Sequence, residues 1–175
     1  MMASRHPCPL TLPNQEELDA LSAAGVPPMA LIRPEPIMIA RGTRAEDRLF
    51  DADDHGDRWI AFEVSEADDL VFWNRTSNEL ASWSGRAFAL GQHRIGNAAT
   101  YCLDRALNIF VSPLDWLRSG RQGIVILPGK WPLAFDRLRD APRIALAREL
   151  LPAYRRHMQP ARMPRLLVLT ERQVA

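Results

Sequence analysis

The stretch from Leu107 to Leu127, LNIFVSPLDWLRSGRQGIVIL, limits the possible folds more than any other part of the sequence. LNIFVS and GIVIL are short apolar runs rich in branched side chains, the composition of strands covered on both faces, as parallel strands usually are. Between them Ser112, Pro113 and Asp115 compose a helix start. The Ser hydroxyl can accept from free N–H groups, Pro sits where its missing N–H costs nothing, and Asp faces the positive helix end. Gly120 supplies the stop. The roughly ten residues between the strands are near the minimum for a crossover joining parallel strands, so the block reads as a βαβ unit.

Upstream, Asn14 and Glu17 cap an expected helix from Gln15 to Ala24, with Leu18 and Leu21 on its apolar stripe and Gly25 as terminator. Pro27, Pro28, Pro34 and Pro36 leave room only for a helical turn at Met29 to Ile32 before a short strand, Ile37 to Arg41. Trp59 to Val64, Leu70 to Asn74 and Glu79 to Trp83 read as an antiparallel meander, with Thr76 to Glu79 as a hairpin connection and Ser65 to Asp69 as a turn or tight loop. Arg86 to Leu90 either continues that sheet or starts a helix. After the βαβ unit come a helix from Pro132 to Arg139, a strand from Arg143 to Ala147, a helix from about Leu151 to Met158 and a strand from Leu166 to Leu169. The expected fold class is α/β, or α+β taken as a whole. An N-terminal helix and meander (residues 1–95) precede a βαβαβαβ-like, mostly parallel sheet layered with helices (96–175), all in a single domain.

A chain of 175 residues is long enough to bury about 70% of its unfolded surface without external staples. Cys8 and Cys102 form no CxxC pair, which fits reduced thiols. There is no apolar leader core and no apolar run approaching the roughly 18 residues of a membrane span, so the chain reads as cytoplasmic. The net charge of +1 conceals an asymmetry. Ten acidic residues face Arg48 and Arg58 between Glu46 and Asp69, whereas ten basic residues face Asp136, Asp140, Glu149 and Glu171 between Lys130 and Ala175.

The acidic loop Asp51 to Asp57, DADDHGD, concentrates hard oxygen ligands beside an imidazole. Asp51, Asp53 and Gly56 match calcium-loop positions one, three and six, but His55 takes position five and Glu63 falls one residue late, before what reads as a strand. A solvated turn is the simpler account of the loop. Gly129 and Lys130 follow GIVIL where a phosphate loop would place its lysine, yet Gly123 is one position too far and Trp131 stands where Ser or Thr is needed. GxGxxG, GxSxG and HExxH are absent. His6 with Cys8, and His93 with Cys102, have no diagnostic spacing. The strongest binding feature is the concentration of Arg155, Arg156, Arg162 and Arg165 around Tyr154 and His157. These cations can hold a phosphate backbone while Tyr154 stacks on a base, or they can simply complement a helix C-terminus.

The segments GRAFALGQ (Gly85 to Gln92), PLDWLRSGRQGIVIL (Pro113 to Leu127), LLPAYRR (Leu150 to Arg156) and ARMPRL (Ala161 to Leu166) together resemble a family of proteobacterial proteins of mobile or phage-like elements. The resemblance implies a genomic setting more than an activity. The alternation after Leu107 also looks like the small Toprim domain of primases and topoisomerases, at the level of fold. A catalytic Toprim domain carries a Glu after its first strand and a DxD motif after a later one. Here those strands lead into Ser112 and Pro113, Pro128 and Gly129, and Arg148 and Glu149, which implies a degenerate, non-catalytic relative. The expected function is therefore an accessory or binding protein of DNA metabolism, with nucleic acid or an acidic protein as partner and no cofactor. The alternatives are a metal-dependent phosphoryl-transfer enzyme using Asp51 to Asp57, and a protein-interaction module without a ligand.

Overall fold

Five antiparallel strands dominate the first half of the computed structural model, which describes residues 8–158. They are β1 (Met38–Arg44), β2 (Phe50–Ala52), β3 (Asp57–Val64), β4 (Asp69–Asn74) and β5 (Glu79–Ser82), in the order β2-β1-β3-β4-β5. The sheet curls until its edges touch: Leu49 and Ser82 form a bridge, with the Ser82 N–H donating to Arg48 O at 3.2 Å. Side chains alternate across strands, so curling creates an inside and an outside. Trp59, Ala61, Leu70 and Phe72 point inward around Phe50, whose ring stacks on Phe72 at 3.8 Å. Ile60, Phe62, Val71 and Trp73 face outward and are covered by the rest of the protein. Both faces of β4 are thus buried, which is why DLVFWN is apolar along most of its length.

Helix α1 (Gln15–Ala23) begins with the expected reciprocal cap, Glu17 N–H to Asn14 Oδ1 at 2.9 Å and Asn14 N–H to Glu17 Oε2 at 2.8 Å. The proline-bounded turn is α2 (Met29–Ile32). Both pack on the outer face of the curled sheet through Leu21, Ala30 and Leu31.

The second sheet comprises β6 (Ala89–Leu90), β7 (Leu107–Phe110), β8 (Ile124–Ile126) and β9 (Ile144–Leu146), in the order β6-β8-β7-β9. β7 runs parallel to both β8 and β9, joined to β8 through α3 (Pro113–Arg118); β6 lies antiparallel to β8. Helix α4 (Trp131–Leu138) connects β8 to β9, and α5 (Leu151–His157) follows. Phe110 and Val125 join Trp116 and Leu117 of α3 in the core between the sheets, while Leu107, Ile109, Ile124 and Ile126 join Ala134, Phe135 and Leu138 of α4.

The molecule is therefore mixed α/β, with one antiparallel curled sheet and one mixed sheet. Two features depart from expectation. Phe50–Ala52 is a strand inside what reads as a loop, and the Arg86 to Leu90 run feeds the second sheet instead of the meander. That antiparallel edge strand makes the second sheet mixed. The expected strand Leu166 to Leu169 lies outside the described residues.

The connection between the sheets is held from two sides. Asp69, buried at the start of β4, accepts from the N–H groups of Leu70 and Ser84 at Oδ1 (2.9 and 2.8 Å) and of Ala87 at Oδ2 (2.8 Å). Lys130, immediately before α4, donates from Nζ to Gly85 O at 2.6 Å.

Candidate functional site

Helix α5 starts with Pro152 in its first turn, where proline is tolerated, and ends in Arg155, Arg156 and His157. Its inner side rests on α4: the Tyr154 ring meets Phe135 edge-on at 5.9 Å, and His157 stacks on Phe135 at 5.7 Å. Tyr154 is half-buried by this packing, so its ring serves the core more than it offers a stacking platform. Arg155 and Arg156 are exposed on the other side and form no ion pair with a carboxylate among the described residues. Arg139 reaches the same helix end, donating from Nη2 to His157 O at 3.1 Å. Arg162 and Arg165 lie outside the described residues.

Open α/β sheets place ligands beyond the carboxyl ends of their strands, and after β7 and β8 those ends are committed to structure. After β7, Ser112 Oγ caps α3, accepting from Asp115 N–H at 3.2 Å and donating to Asp115 Oδ2 at 2.8 Å, while Asp115 Oδ1 lies 3.2 Å from Arg118. After β8, Lys130 is spent on Gly85. The phosphate-loop lookalike is thus a clamp on the chain between the two sheets.

The acidic loop is a turn leading into β3. Asp53 Oδ1 accepts from His55 N–H at 2.9 Å, Gly56 N–H closes on Asp53 O at 2.9 Å, and Asp57 Oδ2 accepts from Asn74 Nδ2 at 3.3 Å. Gly56 is required for close approach, since a Cβ there would meet the Gly42 backbone at 2.7 Å. No group of three or more His, Cys, Asp or Glu side chains is placed to hold a metal among the described residues. Cys8 is buried in the curled sheet's interior, and burial pushes its thiol pKa up; Cys102 is exposed and faces Ala98 O. His93 pairs with Glu66 at 3.3 Å and not with Cys102.

The residue most easily overlooked in the sequence is Arg121, the third letter of the SGRQG turn. Only 5% of it is exposed. Nε donates to Ala30 O at 2.7 Å and Nη1 to Glu35 O at 3.1 Å, and the guanidinium carbon lies 5.6 and 5.4 Å from the Phe62 and Trp116 ring centroids. Burial pulls the group's pKa down to about 10. The one local signal is Arg121 itself, which follows the helix-stopping Gly120 at φ 59°, a left-handed position where Gly or Asn is the usual choice.

Fold and sites define a mixed α/β protein with cationic groups both on its surface and in its core. Compared with protein families, with functionally described proteins and with solved structures, the chain matches none. No helix among the described residues is long and apolar enough to cross a membrane.

Proposed function

We propose that the chain is a cytoplasmic, non-catalytic accessory protein of DNA metabolism in a mobile element, holding nucleic-acid phosphates on Arg155 and Arg156 of α5 and on Arg162 and Arg165 beyond it. One observation carries the reading: Arg155 and Arg156 stand exposed at a helix end, without carboxylate partners among the described residues. Arginine forks suit phosphate oxygens, and unpaired exposed cations lose little solvation when they release phosphate counterions. The family resemblance supports the genomic setting, and the Toprim-like alternation supports a binding role, since its strand ends carry capping and clamping groups.

Fluorescence anisotropy with labelled single- and double-stranded oligonucleotides tests the proposal across a salt series. Binding should weaken steeply with salt, with a duplex slope of about −0.9 per phosphate engaged. Replacing Arg155, Arg156, Arg162 and Arg165 together by Ala should weaken binding at least about tenfold and flatten the slope by roughly one per arginine in contact. Salt-independent binding, or full binding by the quadruple variant, overturns the assignment of the surface.

A further inference from the structure

Where the curled sheet closes on itself it borders a cavity of about 300 Å³. The turn from Glu46 to Leu49 and the Leu80 to Ser82 end of β5 form one side; Leu127 and the Pro128 to Lys130 turn before α4 form the other. Depth and rim differ in chemistry. Leu80, Ala81, Ser82 and Leu127 are buried and Lys130 is half-buried, whereas Glu46, Asp47, Arg48, Pro128 and Gly129 are exposed.

Two polar side chains on this cavity are unused by the fold. Ser82 lies opposite Val71 in the β4–β5 pairing, so its side chain leaves the barrel interior to Ala81 and faces the second sheet. The residue is only 7% exposed, and its hydroxyl is neither hydrogen-bonded among the described residues nor sealed from water. Arg48 stands at φ 69°, a left-handed position unusual for arginine, and such outliers concentrate at ligand sites. Its guanidinium reaches across to the other side of the cavity, where a Cβ on Gly129 would overlap it, yet it has no acceptor among the described residues. Lys130 adds a second positive charge, with one of its three N–H groups committed to Gly85 O. Glu46 is unpaired among the described residues, and Asp47 spends Oδ1 on Leu49 N–H at 3.0 Å. Two cations and two carboxylates thus surround an apolar floor that carries one free hydroxyl.

We propose that this cavity binds a free α-amino acid with an aliphatic side chain. The carboxylate takes the Arg48 fork and the Ser82 hydroxyl beside the Lys130 charge, the ammonium faces Glu46 and Asp47, and the side chain packs on Leu80 and Leu127. A guanidinium with all its N–H groups free calls for a charged, planar acceptor. A zwitterion gives each charge of the lining an opposite charge, whereas a phosphate or a plain carboxylate would meet Glu46 and Asp47 uncompensated. The volume lies at the small end of ligand pockets. Lys130 keeps its bond to Gly85 throughout, so the clamp is undisturbed. The site uses none of the α5 arginines, and the two proposals stand or fall separately.

Titration calorimetry and thermal unfolding of the full chain with L-leucine test the site. L-leucinamide removes the carboxylate, N-acetyl-L-leucine removes the ammonium, and inorganic phosphate supplies a competing anion. Leucine at roughly 10 mM should raise the unfolding midpoint, because a ligand bound only by the native state stabilises it. Each comparison compound should bind about tenfold more weakly or worse. Arg48→Met and Ser82→Ala should unfold near the parent midpoint, since neither side chain has a hydrogen bond to lose among the described residues. Arg48→Met should weaken leucine binding about tenfold or more and Ser82→Ala by about threefold, while Arg48→Lys, which keeps the charge but not the fork, should fall between parent and Arg48→Met. Glu46→Gln should weaken leucine but not N-acetyl-leucine. Leucinamide or N-acetyl-leucine binding as tightly as leucine, preference for phosphate, unchanged leucine affinity in Arg48→Met and Ser82→Ala, or no leucine binding each overturns the proposal.

Discussion

Replacing Asp69 by Ala removes the acceptor for three backbone donors on the path between the two sheets. The N–H groups of Leu70 and Ala87 belong to buried residues, whereas Ser84 is half-buried and its N–H can turn to water. At about 1–3 kcal/mol for each buried donor left without a partner, offset in part by no longer burying a carboxylate, the net loss should be about 3–5 kcal/mol. For a domain of this size that lowers the unfolding midpoint by roughly 10 °C or more. Asp69→Asn keeps one acceptor oxygen but turns an N–H toward another donor, so it should lose about 2 kcal/mol. Urea unfolding followed by tryptophan fluorescence and far-ultraviolet circular dichroism measures both. Because Lys130 holds Gly85 within the same connection, Asp69→Ala and Lys130→Met should be non-additive by at least about 0.5 kcal/mol. A loss below about 1 kcal/mol for Asp69→Ala, or strict additivity with Lys130→Met, would refute the clamp.

Three other perturbations probe separate parts of the fold. Glu17 holds Arg58 through two bonds of 2.7 and 2.9 Å, and that pairing keeps its carboxyl below the ordinary range. A carboxyl pKa depressed by folding stabilises above its unfolded value and loses that contribution as pH falls through the folded value. Glu17→Gln should therefore lose about 0.5–1 kcal/mol at pH 7, with the gap to the parent closing in acid unfolding below the ordinary carboxylate range. Gly91→Ala meets both a left-handed φ of 68° and the Gly123 carbonyl oxygen, which the new Cβ would overlap, whereas Gly120→Ala meets only its φ of 69°. The first should lose about 3 kcal/mol and the second about 1 kcal/mol in denaturant titrations. Iodoacetamide on the native protein should label Cys102 rapidly and Cys8 only on unfolding, since one thiol is exposed and the other is buried with a raised pKa. Mass spectrometry of partially labelled protein distinguishes this from equal reactivity.

Elements governed by neighbours in the chain were legible in the sequence. The Asn14 and Glu17 cap, the helical turn Met29–Ile32, and the Ser112 cap of α3 each depend on groups within a few residues, and all appear where expected. β2 is different: only Phe50 of its three residues is buried, and its strand character comes from pairing with β1. β6 is likewise a strand because Ala89 and Leu90 find partners in β8, some 35 residues downstream. No periodicity is expressed in two or three residues. The Tyr154 ring illustrates the same limit, since its half-buried position follows from Phe135 on another helix.

The cations show why a binding site is harder to read than a fold. Lys130 has the neighbours of a phosphate-binding lysine, but its nearest acceptor is the carbonyl of Gly85, 45 positions upstream. Arg121 has the neighbours of a solvated turn, yet its partners are the carbonyls of Ala30 and Glu35, 91 and 86 positions away. A lysine clamp can complete its bonding with carbonyl and water on a half-buried surface. A buried arginine has five N–H groups, and the backbone around Arg121 engages two of its three nitrogens. What separates a structural cation from a ligand-binding one is the number of donors left after the fold has used its own acceptors. That remainder depends on long-range contacts, so it becomes visible only in the fold, where Arg121 and Arg94 each keep one buried nitrogen without a hydrogen-bond partner among the described residues.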